Sequence, residues 1–154
     1  IFPDELVARQ RAADTYTRLL SDLPDERSTT NNRRVSDFND QRATSNEQQI
    51  LIPFVPDDQT SAWAQYSILT ASKEQRDNLQ KHLAKAGVPT AIYYPKPLHL
   101  QTAYSDLGYK AGDFPVAEDV AHRILSLPMG PYVKEEDQVK VVEAVREALA
   151  PSPC

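Results

Sequence analysis

The chain has 154 residues, 40% of them hydrophobic, a formal charge of −5 and a single cysteine, Cys154. That length holds one domain with a core of its own, and the acidic balance excludes a general nucleic-acid binder, which needs a basic face to neutralise phosphates. No apolar run approaches the ~20 residues that span a bilayer, no signal-peptide pattern appears, and a lone cysteine excludes an internal disulfide, so a cytoplasmic, membrane-free setting is expected.

Residues 1–24 read as an amphipathic helix. Pro3 suits a first turn, Asp4 and Glu5 complement the positive end of the helix dipole, Leu6, Ala13, Tyr16 and Leu20 share a face, and Pro24 stops it. The start at Ile1, directly before helix-like sequence, suggests the interior of a longer protein. Residues 25–48 change character: Asn, Asp, Arg, Ser and Thr dominate, and the mean hydropathy of −0.54 reflects such dilution. The tract buries too little to offset its ordering entropy and is expected to be a mobile polar loop, either a tolerated insertion or a lid.

Residues 49–150 form the remaining domain, with 151–154 as a tail. ILIPFV (50–55) and AWAQYSILT (62–70) are strand candidates, rich in β-branched and aromatic residues. In the second, alternation sets Trp63, Gln65, Ser67 and Leu69 on one face and Ala64, Tyr66, Ile68 and Thr70 on the other. Trp63 is expected in the core. Ser72 and Gln75 form a capping-box pattern that opens a helix with Leu79, Leu83 and Ala86 inward, closed by Gly87 and Pro89. PTAIYY (89–94) reads as a third strand. It leads into a proline-broken stretch with Tyr93, Tyr94, Lys96, His99 and Gln101 on irregular backbone. Val116, Val120 and Ile124 recur every four residues and predict a helix through PVAEDVAHRILSL, broken at LPMGPY. A last helix carries Val139, Val142, Val145 and Leu149 inward, and Glu135 to Asp137 compensate its dipole. His82, His99 and His122 lie far apart with no CxxC or HExxH pattern, so no metal site is expected; His82 and His122 read as surface residues. The order of elements is that of an α+β fold: a short antiparallel sheet with helices packed on one face.

Several ordered strings carry a resemblance. They are Gly87, Thr90, Tyr94-Pro95, Pro97-Leu98-His99, Gln101, Ala103-Tyr104, Leu107-Gly108 and Gly112-Asp113-Phe114-Pro115, then Ala117-Glu118 and Leu125-Ser126-Leu127-Pro128-Met129. Together with Ser61 to Tyr66 and the opening helix, they resemble the C-terminal segment of the DegT/DnrJ/EryC1/StrS family of pyridoxal-phosphate-dependent nucleotide-sugar aminotransferases. The resemblance implies the small C-terminal domain of a fold-type I transferase, with residues 1–24 as the helix linking it to a large domain. It implies a parent enzyme that moves an amino group, from glutamate, onto a nucleotide-linked keto-sugar, uses pyridoxal phosphate and works as a homodimer.

By the same resemblance, Tyr93, Tyr94, Lys96, His99 and Gln101 line the cleft that receives the nucleotide-sugar. Sugar hydroxyls need directional partners, and a pyrimidine base offers a flat face to an aromatic ring. Many members have histidine where this chain has Tyr93. A plain packing role stands beside this reading: Tyr94 and Pro95 packing the strand end, His99 capping a neighbouring turn. The family's Schiff-base lysine and phosphate-binding residues belong to the large domain, and the surroundings of Lys96 do not match that lysine's context. No catalytic residue is therefore expected in this chain, and no cofactor bound by it alone. The alternatives are a free-standing partner-binding or regulatory domain, or half of a split enzyme.

Overall fold

The computed structural model describes residues 2–21 and 50–150. The polar tract 25–48 and the tail 151–154 lie outside the described residues. Helix α1 (Phe2–Ser21) buries Ala13, Tyr16 and Leu20, as its periodicity predicts, with Ala12 beside them and Leu6 only half-buried. Strand β1 (Tyr66–Leu69) is followed by α2 (Lys73–Lys85), two short 3-10 segments (Leu98–Leu100 and Thr102–Leu107), α3 (Pro115–Arg123), strand β2 (Ile124–Leu127) and α4 (Glu135–Leu149).

β1 and β2 pair antiparallel, Tyr66 opposite Leu127 and Leu69 opposite Ile124. Each outer edge of this ribbon holds a single further antiparallel backbone pair, Leu51 with Leu69 on one side and Ala91 with Ser126 on the other. The segments 50–55 and 89–94 therefore contribute one paired residue each to the sheet, where their composition predicted full strands. Pro53 interrupts one and Pro56 follows it, Pro89 opens the other and Pro95 follows it, and proline cannot donate to a ladder.

The larger departure is at Ile124–Leu127. The four-residue spacing extended a helix through this segment, but the helix ends at Arg123 and the chain turns extended, with Ile124 at ψ 138°. Pro128 disfavours helical backbone at Leu127. Arg123 and Thr70 lock the switch: the Thr70 N–H donates to the Arg123 carbonyl at 3.1 Å, and Arg123 Nη1 donates to the Thr70 carbonyl at 3.0 Å. Buried Arg76 donates to the Ala121 and Ile124 carbonyls, which are the orphans of the last turn of α3. In β2, Leu125, Ser126 and Leu127 are all buried, and such an apolar run has no period to distinguish it from helix.

The core gathers Tyr16, Leu20, Trp63, Tyr66, Ile68, Leu79, Leu83, Leu125, Val142 and Val145 from α1, the lead-in to β1, β1, α2, β2 and α4. In α4 the buried stripe is Gln138, Val141, Val142, Ala144 and Val145; Val139 and Leu149 are half-buried. In α2, Leu79 and Leu83 are buried and Ala86 is exposed. Helix α1 is stitched to the rest by polar contacts as well. Tyr16 Oη donates to the Pro128 carbonyl at 2.9 Å, Gln138 Nε2 to the Ala12 carbonyl at 2.7 Å, and Arg146 Nη2 to the Leu19 carbonyl at 2.8 Å. The result is a short antiparallel sheet with helices against it, the α+β arrangement anticipated.

Candidate functional site

The segment after Ala91 leaves the sheet edge and runs across the surface to α3. Its irregularity follows from its prolines. Pro95 and Pro97 fix their own φ and push Tyr94 and Lys96 toward extended backbone, so four consecutive residues have little freedom. Pro97 then opens the first 3-10 turn at φ −55°, ψ 149°.

On this strut, Tyr93 and Tyr94 are 46% and 60% exposed, their ring centroids 6.1 Å apart and edge to face. Lys96 is exposed as well. Gln101 turns back on the strut, its Nε2 donating to the Lys96 carbonyl at 3.1 Å. His99 points the other way. Its side chain is 8% exposed, its Nε2 lies 3.1 Å from Glu118 Oε1, and its ring packs on Phe114 at 4.8 Å. Of the five residues singled out in the sequence, three present side chains to solvent, and the other two have hydrogen bonds that hold the segment together.

Glu118 was matched in the sequence but given no part there. Its carboxylate accepts from the Gly112 N–H at 2.8 Å and from the Phe114 N–H at 3.4 Å, besides meeting His99. The Gly112 amide, foremost among these, holds its pKa below the usual carboxylate range. The signal was a glutamate in the first turn of a helix opened by Phe114-Pro115, a position that favours backbone amide contacts.

Along the chain after the strut, Leu98, Tyr104, Leu107, Tyr109 and Phe114 are all exposed. The groove between the end of α2 and residues 87–90, lined by Gln80, Ala84, Gly87, Val88, Pro89 and Thr90, has no ionisable side chain. No group of three or more histidine, cysteine, aspartate or glutamate residues among those described could hold a metal ion. No described helix is long and apolar enough to cross a membrane.

Comparison with known proteins places this arrangement. Residues 2–146 match the DegT/DnrJ/EryC1/StrS aminotransferase family. The chain belongs to that family. A pleiotropic regulatory protein of Geobacillus stearothermophilus is 38% identical over 90% of this chain and 31% of its own length. A dTDP-3-amino-3,4,6-trideoxy-alpha-D-glucose transaminase of Streptomyces venezuelae is 36% identical over 62% of this chain and 24% of its own. Among solved structures, a DegT/DnrJ/EryC1/StrS aminotransferase from Brucella abortus superposes with a TM-score of 0.68 at 39% identity, covering 94% of this chain and 31% of that one. DesV from S. venezuelae, in complex with a ketimine intermediate, gives 0.74 at 28% identity, covering 97% and 33%. The chain thus spans about a third of the length of these structures, and its fold is that of part of a fold-type I sugar aminotransferase.

The family is pyridoxal-phosphate-dependent, which raises the question of whether these residues fit that cofactor. A Schiff-base lysine must be desolvated to act as a neutral amine. Every lysine of this chain is exposed in the chain taken by itself, Lys96 included, so its own fold desolvates none of them for that role.

Proposed function

We infer that this chain is the C-terminal portion of a pyridoxal-phosphate-dependent aminotransferase acting on a nucleotide-linked keto-sugar. The observation that carries this reading is the family match over residues 2–146, and the exposed aromatic strut supports it. Tyr93 and Tyr94 offer ring faces to a pyrimidine base, and the Lys96 ammonium offers a charge to a diphosphate. His99 and Gln101 belong to the same segment and support its pose. The amino donor is glutamate, and the cofactor and its lysine are supplied by the large domain of the parent, a cytoplasmic homodimer. By itself the chain is inactive.

The test is an assay of the polypeptide that carries this chain together with the cofactor-binding domain. It is incubated with glutamate and a panel of dTDP- and UDP-linked keto-sugars, and the aminated sugar is detected by mass. Transfer to at least one nucleotide-linked sugar is expected. Transfer only to small keto-acids would contradict the reading. The alternative, a free-standing partner-binding domain or half of a split enzyme, draws on the exposed side chains of Leu98, Tyr104, Leu107 and Tyr109. As half of a split enzyme, it predicts a second, cofactor-carrying polypeptide co-purifying with this one.

A further inference from the structure

The strut is held at two points. At one end, Ala91 exchanges two backbone hydrogen bonds with Ser126 of β2, at 3.1 and 2.8 Å. At the other, His99 meets Glu118 of α3. Between these points the exposed side chains of Tyr93, Tyr94 and Lys96 have no covering element among the described residues. Their pose depends on the two ends and on the stiffness in between. Pro95 and Pro97 supply that stiffness, because restricted dihedrals transmit a displacement at His99 back to Tyr94 instead of absorbing it.

We propose that Glu118 is a positioning residue: its Oε1 accepts from the Gly112 and Phe114 amides and meets the His99 ring, and so sets the pose of Tyr93, Tyr94 and Lys96. The three contacts come from different stretches of chain, the 3-10 turn at Leu98–Leu100, the turn at 110–113 and the start of α3. One carboxylate thereby joins the strut to a helix whose last residue, Arg123, is itself locked to Thr70 at the end of β1. Phe114 backs the arrangement from the ring side, 4.8 Å from His99 and 5.0 Å from Tyr109. That the strut meets a nucleotide-sugar rests on the function proposed above; that Glu118 holds it does not.

Hydrogen exchange of this chain separates the two claims. His99→Phe keeps a ring against Phe114 but loses the contact with Glu118, so exchange should rise about tenfold in peptides spanning 92–101 and stay unchanged at 110–114. Glu118→Ala, which removes the acceptor that all three contacts share, should raise both regions. Neither should alter α2 or α4. Unchanged exchange at 92–101 in both variants would overturn the proposal, as would a uniform rise across the whole domain, which marks general destabilisation. In the polypeptide carrying the cofactor-binding domain, Glu118→Ala should raise KM for the nucleotide-sugar about tenfold, with kcat within about twofold. A fall in kcat at constant KM would also overturn it. Local loosening in a protein that aminates no nucleotide-sugar would leave the pin standing and remove the functional reading.

Discussion

Trp63 Nε1 donates to Gln10 Oε1 at 2.9 Å, a bond between the irregular lead-in to β1 and the middle of α1. The same indole lies 5.7 Å from the Tyr66 ring, nearly parallel to it. Trp63 sits at φ +47°, in the left-handed region that non-glycine residues seldom occupy. The surrounding contacts hold it there, with Ser61 Oγ accepting from its N–H at 3.2 Å and Arg9 Nη1 donating to its carbonyl at 3.4 Å.

These contacts differ in weight. Trp63→Ala removes a buried aromatic side chain and should destabilise by about 3–5 kcal/mol. Trp63→Phe keeps most of the ring and loses the bond to Gln10, whose side chain is exposed and finds water, so about 1 kcal/mol is expected. Urea denaturation followed by circular dichroism measures both. Equal losses in the two variants would show that the hydrogen bond, not the ring, carries the contact.

The same residue shows where sequence pattern stops being informative. Strict alternation through AWAQYSILT put Trp63 and Tyr66 on opposite faces, yet both are in one core. Alternation holds from Tyr66 to Thr70, where Tyr66, Ile68 and Thr70 are buried. It fails upstream because one left-handed residue reverses the side-chain parity, and no propensity marks tryptophan for that conformation. Ile124 misled differently: its spacing from Val120 is helical, but Pro128 and the Arg123–Thr70 lock decide the backbone. Helix α1 and the capped start of α2 were legible because amphipathic period and capping are local. The Ser72 hydroxyl accepts from the Gln75 N–H at 3.1 Å, and Gln75 Oε1 accepts from the Ala71 N–H at 2.7 Å. At the candidate site, the prolines announced irregular backbone around Tyr93 and Tyr94. The partnership of His99 with Glu118 spans nineteen positions and has no periodic signature.

Ser67 and Ser126 face each other across the ribbon with their hydroxyls 2.8 Å apart. Ser126 is buried and Ser67 half-buried, so the two deletions should be unequal. Ser67→Ala strands a buried hydroxyl and should cost about 1–3 kcal/mol, whereas Ser126→Ala leaves a hydroxyl that water can reach and should cost less. The double alanine variant should be more stable than the sum of the two losses predicts. A double-mutant cycle by urea denaturation checks this, and strict additivity would exclude coupling.

Burial pushes the Tyr66 hydroxyl up to about 12 from an ordinary value of 10.0, and Tyr16, which it faces, is raised further. The unfolded chain therefore loses these protons at lower pH than the folded one. Stability from Tyr66 is full below pH 10 and declines as pH rises toward 12. Tyr66→Phe should flatten the decline of unfolding free energy in that window. Identical slopes in wild type and variant would contradict the assignment.

Gly108 ends the second 3-10 segment at φ +77°, with nothing near a Cβ placed there. Gly108→Ala should cost about 1–2 kcal/mol, from backbone strain alone. Asparagine, which tolerates this region better, should cost less. Equal thermal midpoints for all three proteins would show that the turn relaxes.

The central claim is that the covalent anchor for pyridoxal phosphate lies outside these residues, and reductive trapping tests it most directly. The purified chain is mixed with an equimolar amount of the coenzyme, reduced with borohydride and mapped by peptide mass. The account predicts sparse labelling scattered over several exposed lysines. One stoichiometric adduct on a single lysine, Lys96 above all, would contradict it.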